Sequence, residues 1–338
     1  MRILLFIGIL FILSCKKESS EVEVLPLSDL LFNADVSTDN SGNVTFTASA
    51  KNATTYEFDL GNGIFKIEPT GILKYKYPAS GNYDVRVFAK NSSGQMITKS
   101  LKISVSVGLS LIWSDEFNTG TAPDPAKWNY DIGTGASGWG NNELQYYTNR
   151  SVNVNISNGT LKIIARKESY SGSNYTSARL LTRDKFSFKY GRIESRAKLP
   201  AGIGTWPAIW MLGSNIGTVG WPACGEIDIM EHVGSQFNKI YGTVHYPGFS
   251  GGNAVGGTVN ISNATTEFHI YAAEWNDTAI RFFVDGSLFF TFANNPSIPF
   301  NHNFFLLMNV AMGGNFGGAV DPAFSQAQME VDYIRVYQ

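Results

Sequence analysis

Cysteine and histidine are scarce in this chain: its 338 residues hold two of the first and four of the second. Folds that depend on disulfides need several cysteine pairs, and zinc enzymes need His and Cys gathered at one place. Neither framework can be assembled, so no cofactor or metal is expected in catalysis. Charge is equally thin. Asp, Glu, Lys and Arg make up 16% of the residues, the formal net charge is −2, and the basic residues form no cluster. A phosphate backbone needs a positive stripe to bind to, so no nucleic acid is expected as a partner. Long patterns of helical period are missing as well. What the chain has instead is glycine, at 34 residues, and aromatic side chains, at 13%. That balance favours strands and turns over helices, and the length allows two domains.

Residues 1–14 carry one positive charge, Arg2, and then an apolar run too short to span a bilayer, the pattern of a secretory signal peptide. Ile12-Leu13-Ser14-Cys15 resembles a bacterial lipobox. That resemblance implies cleavage before Cys15 and lipidation of its sulfur, with polar residues 15–24 as a tether. The expected location is the bacterial cell envelope, on the periplasmic or surface face of the outer membrane, with the lipid at Cys15 as the only membrane attachment. Cys224 is then without a disulfide partner. Its place beside an acidic strand suits a small buried apolar filler better than a thiol nucleophile.

Between residues 25 and 107, short alternating runs such as Val44–Ala48, Tyr83–Phe88 and Leu101–Val105 are separated by turn clusters such as Asp39–Asn43, Gly61–Gly63 and Asn91–Gly94. This spacing predicts a small β-sandwich. Tyr56-Glu57-Phe58-Asp59-Leu60-Gly61-Asn62-Gly63, followed by Tyr77-Pro78-Ala79-Ser80-Gly81-Asn82-Tyr83, resembles the polycystic-kidney-disease (PKD) type of immunoglobulin-like module. Leu60 and Asn62 depart from it, standing where another aromatic and an Asp are usual. The resemblance implies a spacer, or a weak glycan-binding role. From 109 to 338 the strands lengthen, with candidates at Thr160–Arg166, Gly191–Leu199, Ala208–Leu212, Glu226–His232, Lys239–His245, His269–Trp275, Ala279–Val284, Phe304–Val310 and Glu330–Tyr337. Asp285-Gly286 between two apolar runs signals a hairpin. The expected fold is all-β, with two stacked antiparallel sheets in jelly-roll style in this second domain.

The densest signal is Gly225-Glu226-Ile227-Asp228-Ile229-Met230-Glu231-His232. Side chains alternate faces along a strand, so Glu226 and Asp228 share one face and Ile227 and Ile229 the other. An uninterrupted strand would turn Glu231 into the opposite layer, where an unpaired charge is costly. One extra residue bulged out near Ile229 and Met230 restores the register, and such bulges occur beside active sites. The expected result is a Glu, Asp, Glu row on a concave surface; two carboxylates about 5 Å apart are what a retaining glycosidase needs. On the pattern alone, the alternative is a solvent-exposed acidic edge strand. Trp139, Trp206, Trp210 and Trp221 offer flat apolar faces for sugar rings, with core packing as the alternative for each.

Glu226 to Glu231 resembles the active-site strand of glycoside hydrolase family 16, in the bulged form of bacterial endo-β-1,3-glucanases, or laminarinases. Further segments follow in that family's order, among them Trp113-Ser114-Asp115-Glu116-Phe117, Trp206-Pro207-Ala208-Ile209-Trp210 and Val331-Asp332-Tyr333-Ile334-Arg335. The resemblance implies a concanavalin-like jelly roll with Glu226 as nucleophile, Glu231 as general acid/base, and Asp228 between them, orienting and tuning the nucleophile. It implies sugar contacts from Asn142, Arg179, Trp206, Trp210 and Trp221, and from His245 a contact to the sugar or to the acid/base. A structural Ca²⁺ is implied at Glu116, Gly159 and Asp332, largely through backbone oxygens, which suit a hard cation; a hydrogen-bonded Asp332 without metal is the alternative. The implied activity is retaining endo-hydrolysis of β-1,3-glucan, with mixed-linkage β-1,3-1,4-glucan as a further substrate, by a monomer whose partner is the polysaccharide.

Rival readings differ in what they require. After Gly313-Gly314-Asn315 the chain continues Phe316-Gly317-Gly318, where laminarinases commonly carry Trp and Pro, so the cleft loop is expected to differ. Family members that cut agar or carrageenan share the bulged motif, but those polymers call for extra basic residues, and no basic cluster stands out. A catalytically inactive glycan-binding lipoprotein would be expected to lack Glu226 or Glu231, and both are present. A purely structural adhesion protein gives no reason for acids and tryptophans on one strand face.

Overall fold

The computed structural model describes residues 25–338; the signal segment, Cys15 and the tether to residue 24 lie outside the described residues. Two compact units divide between Gly108 and Leu109.

The first unit pairs a three-stranded sheet of Ser28–Val36, Asn43–Lys51 and Ile72–Lys76 with a four-stranded sheet of Thr55–Asp59, Phe65–Glu68, Gly81–Lys90 and Met96–Val105. Val44, Phe46 and Ala48 form one of its inward rows. Phe32, Phe46 and Phe58 meet at its centre with ring centroids 6.0 to 6.2 Å apart. Both departures from the PKD pattern have a structural place. Leu60 is fully buried, and its carbonyl accepts from the Tyr77 hydroxyl at 2.9 Å. Asn62 donates to the Tyr75 hydroxyl at 3.1 Å and accepts from the Ile64 amide at 3.3 Å, closing the turn through its side chain.

The second unit stacks a ten-stranded sheet on a seven-stranded one. In chain order the seven strands are β1 (Asn129–Asp131), β2 (Arg179–Leu181), β3 (Thr205–Gly213), β4 (Glu226–His232), β5 (Lys239–His245), β6 (Val255–Asn260) and β7 (Phe304–Met312). Across the sheet they run β6-β5-β4-β3-β7-β2-β1, antiparallel throughout. The other sheet departs from the antiparallel expectation at one pair, Gln145–Tyr147 beside Ser173–Ser177, which run parallel. A parallel pair needs a long crossover, and the chain between them supplies it, including the strand Thr160–Tyr170. Asp285 and Gly286 form the two-residue hairpin turn, with φ of 49° and 78°, the positive values such turns require.

Ile193, Ile209, Met211, Ile227, Tyr271, Phe282, Leu306 and Met308 fill the space between the sheets. An outer strand, Gly191–Lys198, keeps its alternation, burying Ile193, Ser195 and Ala197 while its charged residues pair outside. β7 is buried at all nine positions. One of its faces meets the core and the other the cleft floor, so its sequence is apolar without alternation, as in strands covered on both sides.

An imidazole also sits in the core layer. His232 follows Glu231 and therefore faces the other way; it is fully buried with both ring nitrogens unpaired. Burial lowers its pKa to about 4. An unfolded imidazole titrates near 6.5, so as pH falls from 6.5 to 4 the unfolded chain gains a proton that the folded chain refuses, and stability is lost over that window. The loss is expected to approach ~3 kcal/mol near pH 4. Denaturant midpoints of His232→Leu should depend less on pH between 6.5 and 4 than those of the wild type; an unchanged dependence would show that the imidazole takes up its proton inside the fold.

Candidate active site

The register of β4 shows how the acids come together. Against β5, Glu226 lies opposite His245, Asp228 opposite Thr243 and Glu231 opposite Tyr241. Three steps on β4 from Asp228 to Glu231 thus match two on β5, and the same irregularity falls opposite Ile209 and Trp210 on β3. The extra residue is the bulge expected at Ile229 and Met230. It returns Glu231 to the face of Glu226 and Asp228, while Ile227, Ile229 and Met230 pack into the core. The acids line a cleft of about 600 Å³ walled by Trp139, Trp206, Trp210, Trp221, Tyr241 and Phe316.

Each acid has distinct partners. Trp221 Nε1 donates to Glu226 Oε2 at 2.6 Å. Trp206 Nε1 donates to Glu231 Oε1 at 3.0 Å, and the Thr243 hydroxyl lies 3.1 Å from Glu231 Oε2. His245 Nε2 lies 3.2 Å from Asp228 Oδ2 and 3.9 Å from Glu226 Oε1. Burial raises the pKa of Glu226 well above the carboxylate range, and the neighbouring charge of Asp228 adds to it. Burial and the charge of Glu231 do the same to Asp228, and burial raises Glu231. Charged forms are disfavoured where water is excluded and like charges crowd, so each acid holds its proton to higher pH than a free carboxylate does.

The aromatic residues divide their roles. Trp221 is about half exposed and presents its ring to the cleft. Trp210 is nearly buried in the floor, with its Nε1 donating to Asn309 Oδ1 at 2.8 Å. The Arg179 guanidinium lies over the rings of Trp139 and Trp210, 4.6 and 4.7 Å from their centroids, with Nε 2.9 Å from Asp131 Oδ2. Arg179 thus lines the cleft as a cation held between two indoles. Asn142, expected to face the sugar, turns its amide to Asn315 Oδ1 at 2.9 Å and ties two wall segments together, while its neighbours Gly140 and Asn141 line the cleft. Its φ is 57°, in the left-handed region that Asn tolerates. Tyr241, Thr243, Asp131 and Glu143 were not singled out from the sequence. The first two were legible in principle, since they precede His245 at alternate positions of one strand.

Glu116 and Gly159 flank two strands that pair with the strand carrying Asp332. Leu111–Asp115 pairs with Gln326–Tyr337 as far as Ile334, and Thr160–Tyr170 pairs with it as far as Val331. Asp332 lies in the gap between those pairings. The Glu116 carboxylate is held by Arg335 at 2.9 and 2.8 Å, and Asp332 Oδ2 accepts from Arg196 at 2.7 Å. With both carboxylates engaged by arginines, a calcium ion there would rest largely on backbone oxygens, the donors that suit a hard cation.

Residues 139–335 match the family described as Glycosyl hydrolases family 16, and residues 32–107 match the PKD domain. The chain is 50% identical over 244 residues to a beta-glucanase of Rhodothermus marinus, covering 68% of this chain and 85% of that protein. Among solved structures, the laminarinase from Rhodothermus marinus superimposes with a TM-score of 0.65 at 51% identity, covering 68% of this chain and 98% of that one. The laminarinase catalytic domain from Thermotoga maritima MSB8 gives 0.64 at 45% identity, covering 68% and 98%.

An acid whose pKa is raised by folding weighs fully on stability above its folded pKa, and the penalty fades as pH falls from there to the ordinary carboxylate value of the unfolded chain. Glu231→Gln keeps the shape and removes the charge. Its thermal midpoint at pH 7 is expected to lie above that of the wild type, with the gap narrowing toward pH 5; an equal or lower midpoint would mean that the carboxylate is compensated by its donors.

Proposed function

The chain belongs to glycosyl hydrolase family 16, and from that premise we propose that it is a retaining endo-β-1,3-glucanase of the laminarinase type, acting on laminarin-like glucan and on mixed-linkage β-1,3-1,4-glucan. The single observation that carries this reading is the bulged strand β4, which sets three acids on one face of an aromatic-lined cleft. Aromatic walls suit the apolar C–H faces of glucose rings. Arg179, the one cation in that lining, is already occupied by Asp131, which disfavours the sulfated polymers.

Hydrogen-bonding capacity supports a division of roles. Trp221 can offer Glu226 only an N–H group, which suits an anion. Thr243 can accept as well as donate, so Glu231 can carry a proton and give it a partner. Glu226 therefore attacks the anomeric carbon while Glu231 protonates the departing glycosidic oxygen, and the C–O bond breaks. Once Glu226 is esterified its charge is gone, and Glu231, now less inclined to hold a proton, deprotonates the incoming water. That water displaces Glu226 and restores both groups with net retention. Asp228, within hydrogen-bonding reach of Glu226, orients the nucleophile. The cleft is complete within one chain, in keeping with a monomer that needs no cofactor for this chemistry. A structural Ca²⁺ at Glu116, Gly159 and Asp332 would tie three strand ends together, away from the reacting groups. Anchoring through Cys15 in the cell envelope, with the PKD module as spacer, completes the reading and rests on the lipobox-like sequence.

Reducing-sugar release from laminarin, mixed-linkage glucan, agarose and carrageenan tests the substrate. Release is expected from the two glucans, and Glu231→Gln should lower kcat about 10²- to 10⁴-fold, the usual range for a lost acid/base. Release from agarose or carrageenan alone would overturn the glucan reading. Proton NMR of the first product should show the β anomer. For calcium, EGTA is expected to lower the thermal midpoint of the wild type and added CaCl₂ to restore it; no shift would leave Asp332 as a hydrogen-bonded side chain only.

A further inference from the structure

His245 lies directly opposite Glu226 on β5, and its two ring nitrogens face different partners. Nδ1 is 3.1 Å from the backbone nitrogen of Gly251, whose N–H points at it. Nε2 faces Asp228 Oδ2 at 3.2 Å. A backbone amide can only donate, so Nδ1 presents its lone pair and the proton of the neutral ring sits on Nε2. Asp228 Oδ2 is buried and has no hydrogen bond of good geometry; the His245 N–H is the donor beside it, and contacts of this kind often tighten only when substrate is bound.

Glu226, Asp228 and His245 also offer ligand atoms within 4.8 Å of one another, a spacing that a divalent cation could bridge. The tautomer decides between the two readings. A cation at Nε2 needs the lone pair there, which would move the proton to Nδ1 and set it head-on against the Gly251 N–H. Gly251 is held in place by its loop. Tyr246 and Phe249 exchange two backbone hydrogen bonds of 2.9 Å and stack their rings 4.9 Å apart. Gly251 itself has a φ of 57°, a conformation open to glycine at little cost.

We propose that the Gly251 amide fixes His245 as the Nε2–H tautomer, and that His245 is a positioning residue for the nucleophile rather than a sugar contact or a metal ligand. His245 donates to Asp228 Oδ2, and Asp228, fixed in this way, stands against Glu226 and orients it. The chain Gly251, His245, Asp228 runs one way and ends beside the attacking carboxylate, holding its rotamer for attack. This inference rests on Glu226 being the nucleophile.

Nitrogen-15 NMR of the imidazoles in the intact protein reads the tautomer without any substrate, with the His245 signals identified by their loss in His245→Gln. The expected pattern at neutral pH is a protonated Nε2 and a bare Nδ1, unchanged by zinc chloride; a protonated Nδ1, or a shift on adding zinc, would overturn the proposal. On laminarin, His245→Ala is expected to lower kcat about 10- to 100-fold with KM little changed. His245→Gln, whose amide N–H reaches the Nε2 position, should recover much of that loss. A raised KM at unchanged kcat would make His245 a sugar contact and sink the proposal. An inactive wild type would instead count against the glucanase reading, with the tautomer still decided by NMR.

Discussion

An antiparallel strand carrying Glu226 and Glu231 without interruption would send one of them into a core of Ile227, Met230 and Phe282. The bulge between Asp228 and Glu231 removes that conflict, and the cleft is organised around it. It rotates Glu231 to the wet face and gives His232 the core face instead. The neighbouring strands follow the same beat: Trp206, Ala208, Trp210 and Leu212 on β3, and Tyr241, Thr243 and His245 on β5, present their cleft side chains in step with the acids. A local change in backbone register thus decides which side chains of three strands share a surface.

Crowding three carboxylates at so little exposure is costly, and the surroundings answer with donors rather than with positive charge. Two indole N–H groups, a hydroxyl and an imidazole reach the cluster. A lysine or arginine there would form ion pairs and leave the acids poor at moving protons. Neutral donors stabilise charge without fixing it, and a carboxyl among them stays free to give up a proton and take it back. The tryptophans accordingly serve twice, presenting ring faces to the cleft and N–H groups to the acids.

Much of this was legible in the sequence because it follows from short-range periodicity. The bounds of β4 and β5, the hairpin at Asp285-Gly286 and the bulge itself depend on residues a few positions apart. Long-range partners were harder to see. Nothing near Arg179 in the chain announces that Asp131 and two indoles will hold it, since those contacts arise from sheet order. The partner of Asn142 was hidden for the same reason: Asn315 comes from a distant loop. β7 hides its role because burial on both faces erases the alternation that elsewhere separates inside from outside.

The two ends of the second unit meet. Leu111–Asp115 and Gln326–Tyr337 are paired neighbours in the ten-stranded sheet, and Ser110 and Gln338 exchange backbone hydrogen bonds of 2.6 and 2.9 Å. Neither end belongs to the sheet that holds the acids. Joining them would close a loop of very few residues, at small entropic cost. The fold is therefore suited to circular permutation: the chain could be reopened at an exposed turn such as Asp285-Gly286, and the cleft strands would keep their order and register.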